Sequence, residues 1–354
     1  MARRVSPGNG ARGAATLLDV ANRVGVTPMT VSRALNGGSV SASVRESVLR
    51  AVDELGYRPN LVARGMRSGK SKQVGVLVRN NSRLRPEESR AHPLAYDLVL
   101  GVSEGLEEAG YMMSFVRLSD IDPEKHTQSS AFQGHLLDGL IVANDVPAAR
   151  ESHLRELIPH CVWLDSSVWH STNCVRRDEK GAGRDTARSV AAAGYRRWIH
   201  LFTSDAFAPT AHFSMPDRAQ GVREVAASVG GECDDFVVNY HPPDFGKLWA
   251  QLSPDVAVIA NSIYPAYALL YAANQAGKII GRDFALASCD EGFDGGLIEW
   301  LDLARVSFNR FELGLQAARL MVAQLSDSTT APPSRVLAGQ WIAGQTLPQR
   351  VHND

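Results

Sequence analysis

Thr27, Pro28, Met29, Thr30, Ser32, Arg33 and Asn36 fall within ten residues of one another and carry hydroxyls, an amide and a guanidinium. These are the groups that donate to and accept from base edges in the major groove. Val31, Ala34 and Leu35 recur among them at helical spacing. The stretch therefore predicts a short helix with one buried face, leaving Thr30, Ser32, Arg33 and Asn36 outside. Such a helix has to be held by something. Thr16 with Asp19 reads as a capping box opening an earlier helix, along which Leu17, Leu18, Val20, Ala21 and Val24 repeat. Gly25 breaks that pattern where a turn needs a left-handed backbone. Thr27 then supplies a cap oxygen, and Pro28 takes the first helical position, where a missing N–H costs nothing. The same periodicity would serve a plain helical hairpin, so charge has to separate the two readings.

The formal net charge of −1 conceals a division. Residues 1–72 carry twelve basic and four acidic side chains, a net +8, and the remainder carries −9. A basic head on an acidic body suits a polyanion-binding module fused to a body that does not bind. A hydrophobic content of 44% and a charged content of 21% are ordinary for a globular protein. No apolar run reaches the ~18 residues of a membrane-spanning helix. The start, MARRVSPGNGARGAA, lacks the apolar core of a signal peptide and reads as a tail. Cys161, Cys174, Cys233 and Cys289 show no metal-ligand spacing, so reduced thiols in the cytoplasm are expected.

Leu17-Leu18-Asp19-Val20-Ala21, Val24-Gly25-Val26-Thr27 and Thr30 to Asn36 together resemble the DNA-binding headpiece of the lactose-repressor (LacI/GalR) family. Ser41 to Tyr57 resembles its third helix, with Ser43 and Glu46 read as a second capping box and Val44, Val48, Ala51, Val52 and Leu55 as the apolar stripe. Arg58-Pro59-Asn60 and LVARGMRSGKS resemble the family's hinge. The resemblance implies DNA contacts from Thr16, Thr27, Pro28, Met29, Thr30, Ser32, Arg33, Asn36, Tyr57, Asn60, Ala63 and Met66. Met66 stands where the family places a leucine that wedges into the minor groove. Gly65 departs from the pattern and weakens a hinge helix by up to ~1 kcal/mol.

From Gln73 onward strands and helices alternate: Val74–Val78, Asp97–Gly110, Met112–Val116, Asp138–Val142 and His160–Asp165. A second series begins near Asp178 with Gly183–Ala193, Trp198–Phe202, Arg218–Val229, Phe236–Val238, Val256–Ala260, Ala266–Ala276 and Phe284–Ala287. Such alternation predicts an α/β class of doubly wound parallel sheets, in two similar lobes with a cleft between them. This resembles the periplasmic-binding-protein-like effector core of the same family. The resemblance sets the expected boundaries: a tail at 1–15, the headpiece at 16–60, a hinge at 61–72, an effector and dimerisation core at 73–346, and a tail at 347–354. Lobe 1 is expected at about 73–177 and 305–328, and lobe 2 at about 178–304 and 329–346.

Ligands of open α/β sheets sit at the carboxyl ends of strands. Asp165, Ser214, Arg218, Asn261, Asp290 and Phe308 match family positions facing the effector. Each alone also reads as a cap or turn residue. A guanidinium fork holds two hydroxyls or a carboxylate, which suits a sugar or sugar acid. Ser262 stands where most relatives carry aspartate, and Phe308 replaces a common polar residue with a stacking wall. Ser82–Arg90 and Ala206–Phe213, the latter carrying Phe207, His212 and Phe213, read as insertions near the cleft mouth, or simply as variable loops.

Enzymatic chemistry finds no support: there is no nucleophile elbow, no phosphate-cradling glycine loop and no histidine pair at metal spacing. Asp290-Glu291 resembles half of a glycosidase pair but lacks a partner at a set distance. No cofactor and no metal are expected. The resemblance implies a cytoplasmic, homodimeric, effector-controlled repressor on a pseudo-palindromic operator. An activator or corepressor-dependent regulator of the same fold is the alternative, and a solute-binding protein or an enzyme fused to a headpiece is a distant one. LPQRVHND is too short for a heptad repeat, so no coiled-coil tetramer is expected.

Overall fold

The computed structural model describes residues 15–58, 70–79, 96–118, 136–143, 148–208, 211–239, 242–291, 302–327 and 329–350. The chain divides into two compact units, Met1–Ser71 and Lys72–Asp354. The hinge residues Asn60, Ala63 and Met66, and the Ser82–Arg90 segment, lie outside the described residues.

In the first unit, α1 (Leu17–Val24), α2 (Pro28–Leu35) and α3 (Ala42–Leu55) enclose a small core of Val20, Ala21, Val31, Ala34, Val48 and Ala51. The Thr16–Asp19 capping box is present, and Gly25 ends α1 at φ 75. Thr27 caps α2 through the Thr30 N–H, with Pro28 in its first turn. Two details differ from the sequence reading. Leu18 is 56% exposed, since it falls on the solvent side of the stripe set by Val20 and Ala21. The cap of α3 is Ser41, not Ser43: Ser41 has extended backbone angles and accepts from the Val44 N–H, so the helix begins two residues earlier and Glu46 lies beyond the capping position.

The second unit contains two six-stranded sheets. The first is built from β1 (Gln73–Arg79), β2 (Met112–Leu118), β3 (Gly139–Ala143), β4 (Cys161–Leu164), β5 (Cys174–Arg177) and β11 (Arg335–Leu337), with α4 (Tyr96–Glu108) and α5 (Ala148–Leu157) between its strands. The second is built from β6 (Arg197–Thr203), β7 (Glu232–Val238), β8 (Val256–Ala260), β9 (Ala285–Ser288), β10 (Ala304–Ser307) and β12 (Gln340–Ile342). It carries α6 (Glu179–Ala192), α7 (Ser214–Val229), α8 (Gly246–Trp249) and α9 (Ile263–Gln275). A last helix, α10 (Arg310–Ser326), packs against α4 and the first sheet. All pairs are parallel except β10 with β12. Runs such as Gly139–Ala143 and Val256–Ala260 are buried at every position, as strands covered on both faces must be.

The chain crosses between sheets after β5, after β10 and between β11 and β12. Two expected lobe limits are corrected. Arg335–Leu337 pairs with Cys174–Arg177 in the first sheet, so 329–346 does not belong wholly to the second lobe, and Ala304–Ser307 stays in the second sheet. Three-residue strands of mixed exposed and half-buried side chains carry no alternation that would assign them to a sheet. Helix α6 begins at Glu179, four residues before the expected start, because the Asp178 carboxylate accepts from the Gly181 N–H and caps it there.

All four cysteines are unpaired. Burial pushes Cys161 and Cys289 up to about 12 and Cys233 up to about 11. Among the described residues no helix is long and apolar enough to cross a membrane, and no cluster of metal-ligating side chains forms.

Candidate effector cleft and nucleic-acid interface

Helix α2 is held from behind. Arg45, on α3, donates to the Ala34 carbonyl at 2.7 Å and the Gly38 carbonyl at 2.8 Å, placing a cation at the C-terminal end of α2. Arg23 pairs with Glu54 at 2.8 Å and ties α1 to α3. On the open side of α2, Pro28, Met29 and Arg33 are exposed, Met29 by 65%, and Thr30 and Ser32 are half-buried. Asn36 donates to the Ser32 carbonyl at 2.7 Å, and Thr27 and Thr30 share a hydroxyl contact of 2.9 Å. Thr16 is engaged in its own capping box. Tyr57 packs against the headpiece core.

In the second unit, the carboxyl ends of strands from both sheets converge on a buried cluster. Asp165 follows β4 with φ 50, an uncommon conformation for a side chain with a Cβ. It accepts from Arg177, at the end of β5, at 2.9 Å from Nη2 and 3.1 Å from Nε. Arg177 Nη1 lies 2.9 Å from Glu179 Oε1 and 3.6 Å from Asp290 Oδ1, close enough for charge pairing but without a hydrogen-bonding angle. Its guanidinium also sits over the Phe308 ring, 5.3 Å from the centroid. Arg218, 1% exposed, donates to Glu179 at 2.6 and 3.0 Å, lies 3.2 Å from Asp290 and donates to the Asn261 carbonyl at 3.0 Å. Arg310 donates to Asp290 at 2.9 Å.

Three guanidiniums thus face three carboxylates. Burial raises the Asp165 carboxyl, but the charge and hydrogen bonds of Arg177, with the charge of Arg310 behind it, outweigh that and hold the group below its ordinary range. Arg218 is raised in the opposite sense, burial being outweighed by Asp290 and Glu179. Arg310 is the least comfortable, pushed down by burial and by the neighbouring Arg177 charge.

Close helix packing fixes this geometry. A Cβ on Gly183 would run into the Arg218 carbonyl, and one on Gly221 into the Lys180 carbonyl. Only glycine lets α6 and α7 approach far enough for Glu179 to meet Arg218. From the expected Ala206–Phe213 insertion, His212 and Phe213 reach the cluster. His212 Nε2 donates to the Asp165 carbonyl at 2.9 Å, leaving Nδ1 to accept from the Ser214 hydroxyl at 2.9 Å. The Phe213 N–H donates to Ser167 at 3.2 Å, and its ring lies under Arg176.

Asn261 Oδ1 accepts from His200 at 3.1 Å, and its amide turns toward Met215 rather than toward the carboxylates. The structure therefore brings Asp165, Arg218, Asp290 and Phe308 into one cluster, with Asn261 joining by its carbonyl and Ser214 linked through His212. Arg177, Glu179 and Arg310 complete it and were not singled out from the sequence. The one hint was charge, since Arg177 and Glu179 flank the end of a buried strand at the same edge as Asp165. A depression of about 450 Å³ on α6 and α7, lined by Arg184, Arg188, Glu224 and Val225 among others, contains none of these residues.

Residues 16–60 match the family profile "Bacterial regulatory proteins, lacI family", and residues 187–347 match "Periplasmic binding protein-like domain". The chain is 28% identical to the HTH-type transcriptional regulator CelR of Thermobifida fusca, covering 91% of this chain and 95% of that one. It is 26% identical to the ribose operon repressor of Bacillus subtilis (strain 168), over 94% and 98%. Among solved structures, a CelR–cellobiose complex superposes with a TM-score of 0.63 at 25% identity, covering 94% of this chain and 99% of that one. A lac repressor dimer bound to operator and an anti-inducer gives 0.71 at 19% identity, covering 95% and 100%, which speaks to the fold alone.

Proposed function

Because this chain belongs to the lacI family of bacterial regulatory proteins and is a DNA-binding transcription regulator rather than an enzyme, we propose that it is a cytoplasmic repressor controlled by a sugar-like effector held between its lobes. The observation that carries the effector reading is the buried cluster of Asp165, Arg177 and Asp290 at strand ends of both sheets with Glu179, Arg218 and Arg310 from the helices beside them. One similar structure is a CelR–cellobiose complex, and a relative is a ribose operon repressor, which supports a carbohydrate. Charge balance favours a neutral polyol over a sugar acid. Hydroxyls exchange hydrogen bonds without changing net charge, whereas an acid adds a fourth anion to a buried site with three cations.

Two copies present their α2 helices, with Met29 and Arg33 outward, to the half-sites of a pseudo-palindromic operator, because one short helix touches too few bases. Effector binding changes the relation of the lobes. This alters whether the hinge segments carrying Asn60, Ala63 and Met66 engage the minor groove. The coupling is bounded by the effector's differential affinity for the two states, typically ~1–3 kcal/mol.

The test is selection of bound DNA from random sequence. Operator affinity is then measured with neutral mono- and disaccharides, including cellobiose and ribose, and with sugar acids. The expected result is a two-fold symmetric site and a neutral sugar that changes affinity by about 5–150-fold. Absence of sequence preference overturns the DNA reading, and a response to acids alone overturns the charge argument.

A further inference from the structure

Arg177 belongs to the first lobe by its backbone, yet its side chain contacts both sides of the cleft. It forks onto Asp165 from the same lobe, and its Nη1 reaches Glu179 and Asp290 from the other. Its plane lies over Phe308, at the second crossing between β10 and α10. The side chain is 6% exposed, and every wall residue it touches belongs to the proposed effector site. A planar group bearing several donors, set among carboxylates and against an aromatic face, is how a small polar ligand is commonly held.

We propose that the Arg177 guanidinium is a resident occupant of this cleft. It draws the lobes together in place of an effector, and an effector binds by taking over its contacts. The proposal rests on the reading of the cleft as an effector site and adds a competitor for it. The geometry also makes the guanidinium displaceable, because Nη1 is held by charge with no aligned acceptor, so withdrawing it gives up one hydrogen bond fewer than a complete fork would. The tether keeps the displaced cation beside the carboxylates, so hydroxyls of a neutral ligand can take the vacated acceptors without stranding a full charge.

The test needs no knowledge of the effector. Spin labels are attached to one added cysteine on each lobe, and their separation is measured in the full-length protein. Arg177→Ala removes the guanidinium and leaves two cations against three carboxylates. The expected result is a distribution shifted to longer separations, restored to the wild-type one by millimolar methylguanidinium but not by urea or tetramethylammonium. Methylguanidinium should bind Arg177→Ala about tenfold or more tighter than it binds the wild type. Arg177→Lys, which keeps the charge but not the fork, covers the case in which Arg177→Ala does not fold, and its separations should fall above the wild-type ones. An unshifted distribution in whichever variant folds overturns the proposal. So does methylguanidinium that raises the melting temperature while leaving the separation unchanged, which would make Arg177 a bond within one lobe. Operator selection and sugar response are read separately and stand or fall independently of these outcomes.

Discussion

Arg218→Ala is the sharpest probe of the cluster. The substitution removes a fully buried cation that bonds Glu179 twice, lies 3.2 Å from Asp290 and donates to the Asn261 carbonyl. Breaking a buried pair by deleting one partner costs about 3–5 kcal/mol, because the other charge is left uncompensated. Here compensation is partial: Glu179 keeps Arg177 at 2.9 Å, and Asp290 keeps Arg310 at 2.9 Å. The low end, about 3 kcal/mol, is therefore expected. For a unit of this size, about 2–4 °C per kcal/mol translates this into a drop of roughly 6–12 °C in the melting temperature of the second unit. Differential scanning calorimetry on the full chain reads this directly, with the headpiece transition unmoved. Glu179→Gln should cost less when Arg218 is already absent, a coupling a double-mutant cycle isolates. Operator affinity without effector should stay close to wild type, and the effector response should vanish. A melting temperature within about 2 °C of wild type would refute the reasoning, since it corresponds to less than ~1 kcal/mol.

Three further outcomes are expected. Arg33→Ala should weaken binding to the selected operator by about 1–3 kcal/mol and relax preference at one base pair, read by competition against single-base variants. Gly183→Ala drives a Cβ into the Arg218 carbonyl, so α6 and α7 must part. A loss of about 1–3 kcal/mol by urea denaturation is expected, together with a weakened effector response. His200 is buried and neutral, its imidazole pushed down to about 3 by burial first and by the Arg223 charge second. Between about pH 6.5 and pH 3 the unfolded chain binds a proton that the fold refuses, so stability is full above 6.5 and falls as pH drops, by up to ~1.4 kcal/mol per unit. His200→Phe should flatten that slope in denaturation curves taken at several pH values; an unchanged slope contradicts the assignment.

The sequence was most legible where structure is local. The Thr16–Asp19 box, the left-handed Gly25 and the Thr27–Pro28 start of α2 each depend on residues within a turn of one another. The Ser41 cap was misread because Ser41 and Ser43 both satisfy the composition rule, and only backbone angles decide between them. Asp165, Arg218 and Asp290 were found by resemblance, not by spacing. Arg177, Glu179 and Arg310 were missed because what unites them is convergence of β5, α6 and α10, more than a hundred residues apart at the extremes. Glu179 was obscured further by placing the helix start at Gly183, which hid that the first turn of α6 points an acid into the cleft. The allegiance of β11 and β12 is set by pairing alone, and three residues of mixed exposure carry no signature of it.

The thiols have a practical bearing that their chemistry alone would not suggest. Cys161, Cys174 and Cys289 are buried, Cys233 is partly so, and burial raises all four above the ordinary thiol range, so at neutral pH thiolate is scarce at each of them. A maleimide or methanethiosulfonate reagent will therefore favour an added surface cysteine over the native set. The chain accepts a reporter without first being rebuilt as a cysteine-free variant, a rebuilding that would put cavities into both sheets of the protein whose movement is to be observed.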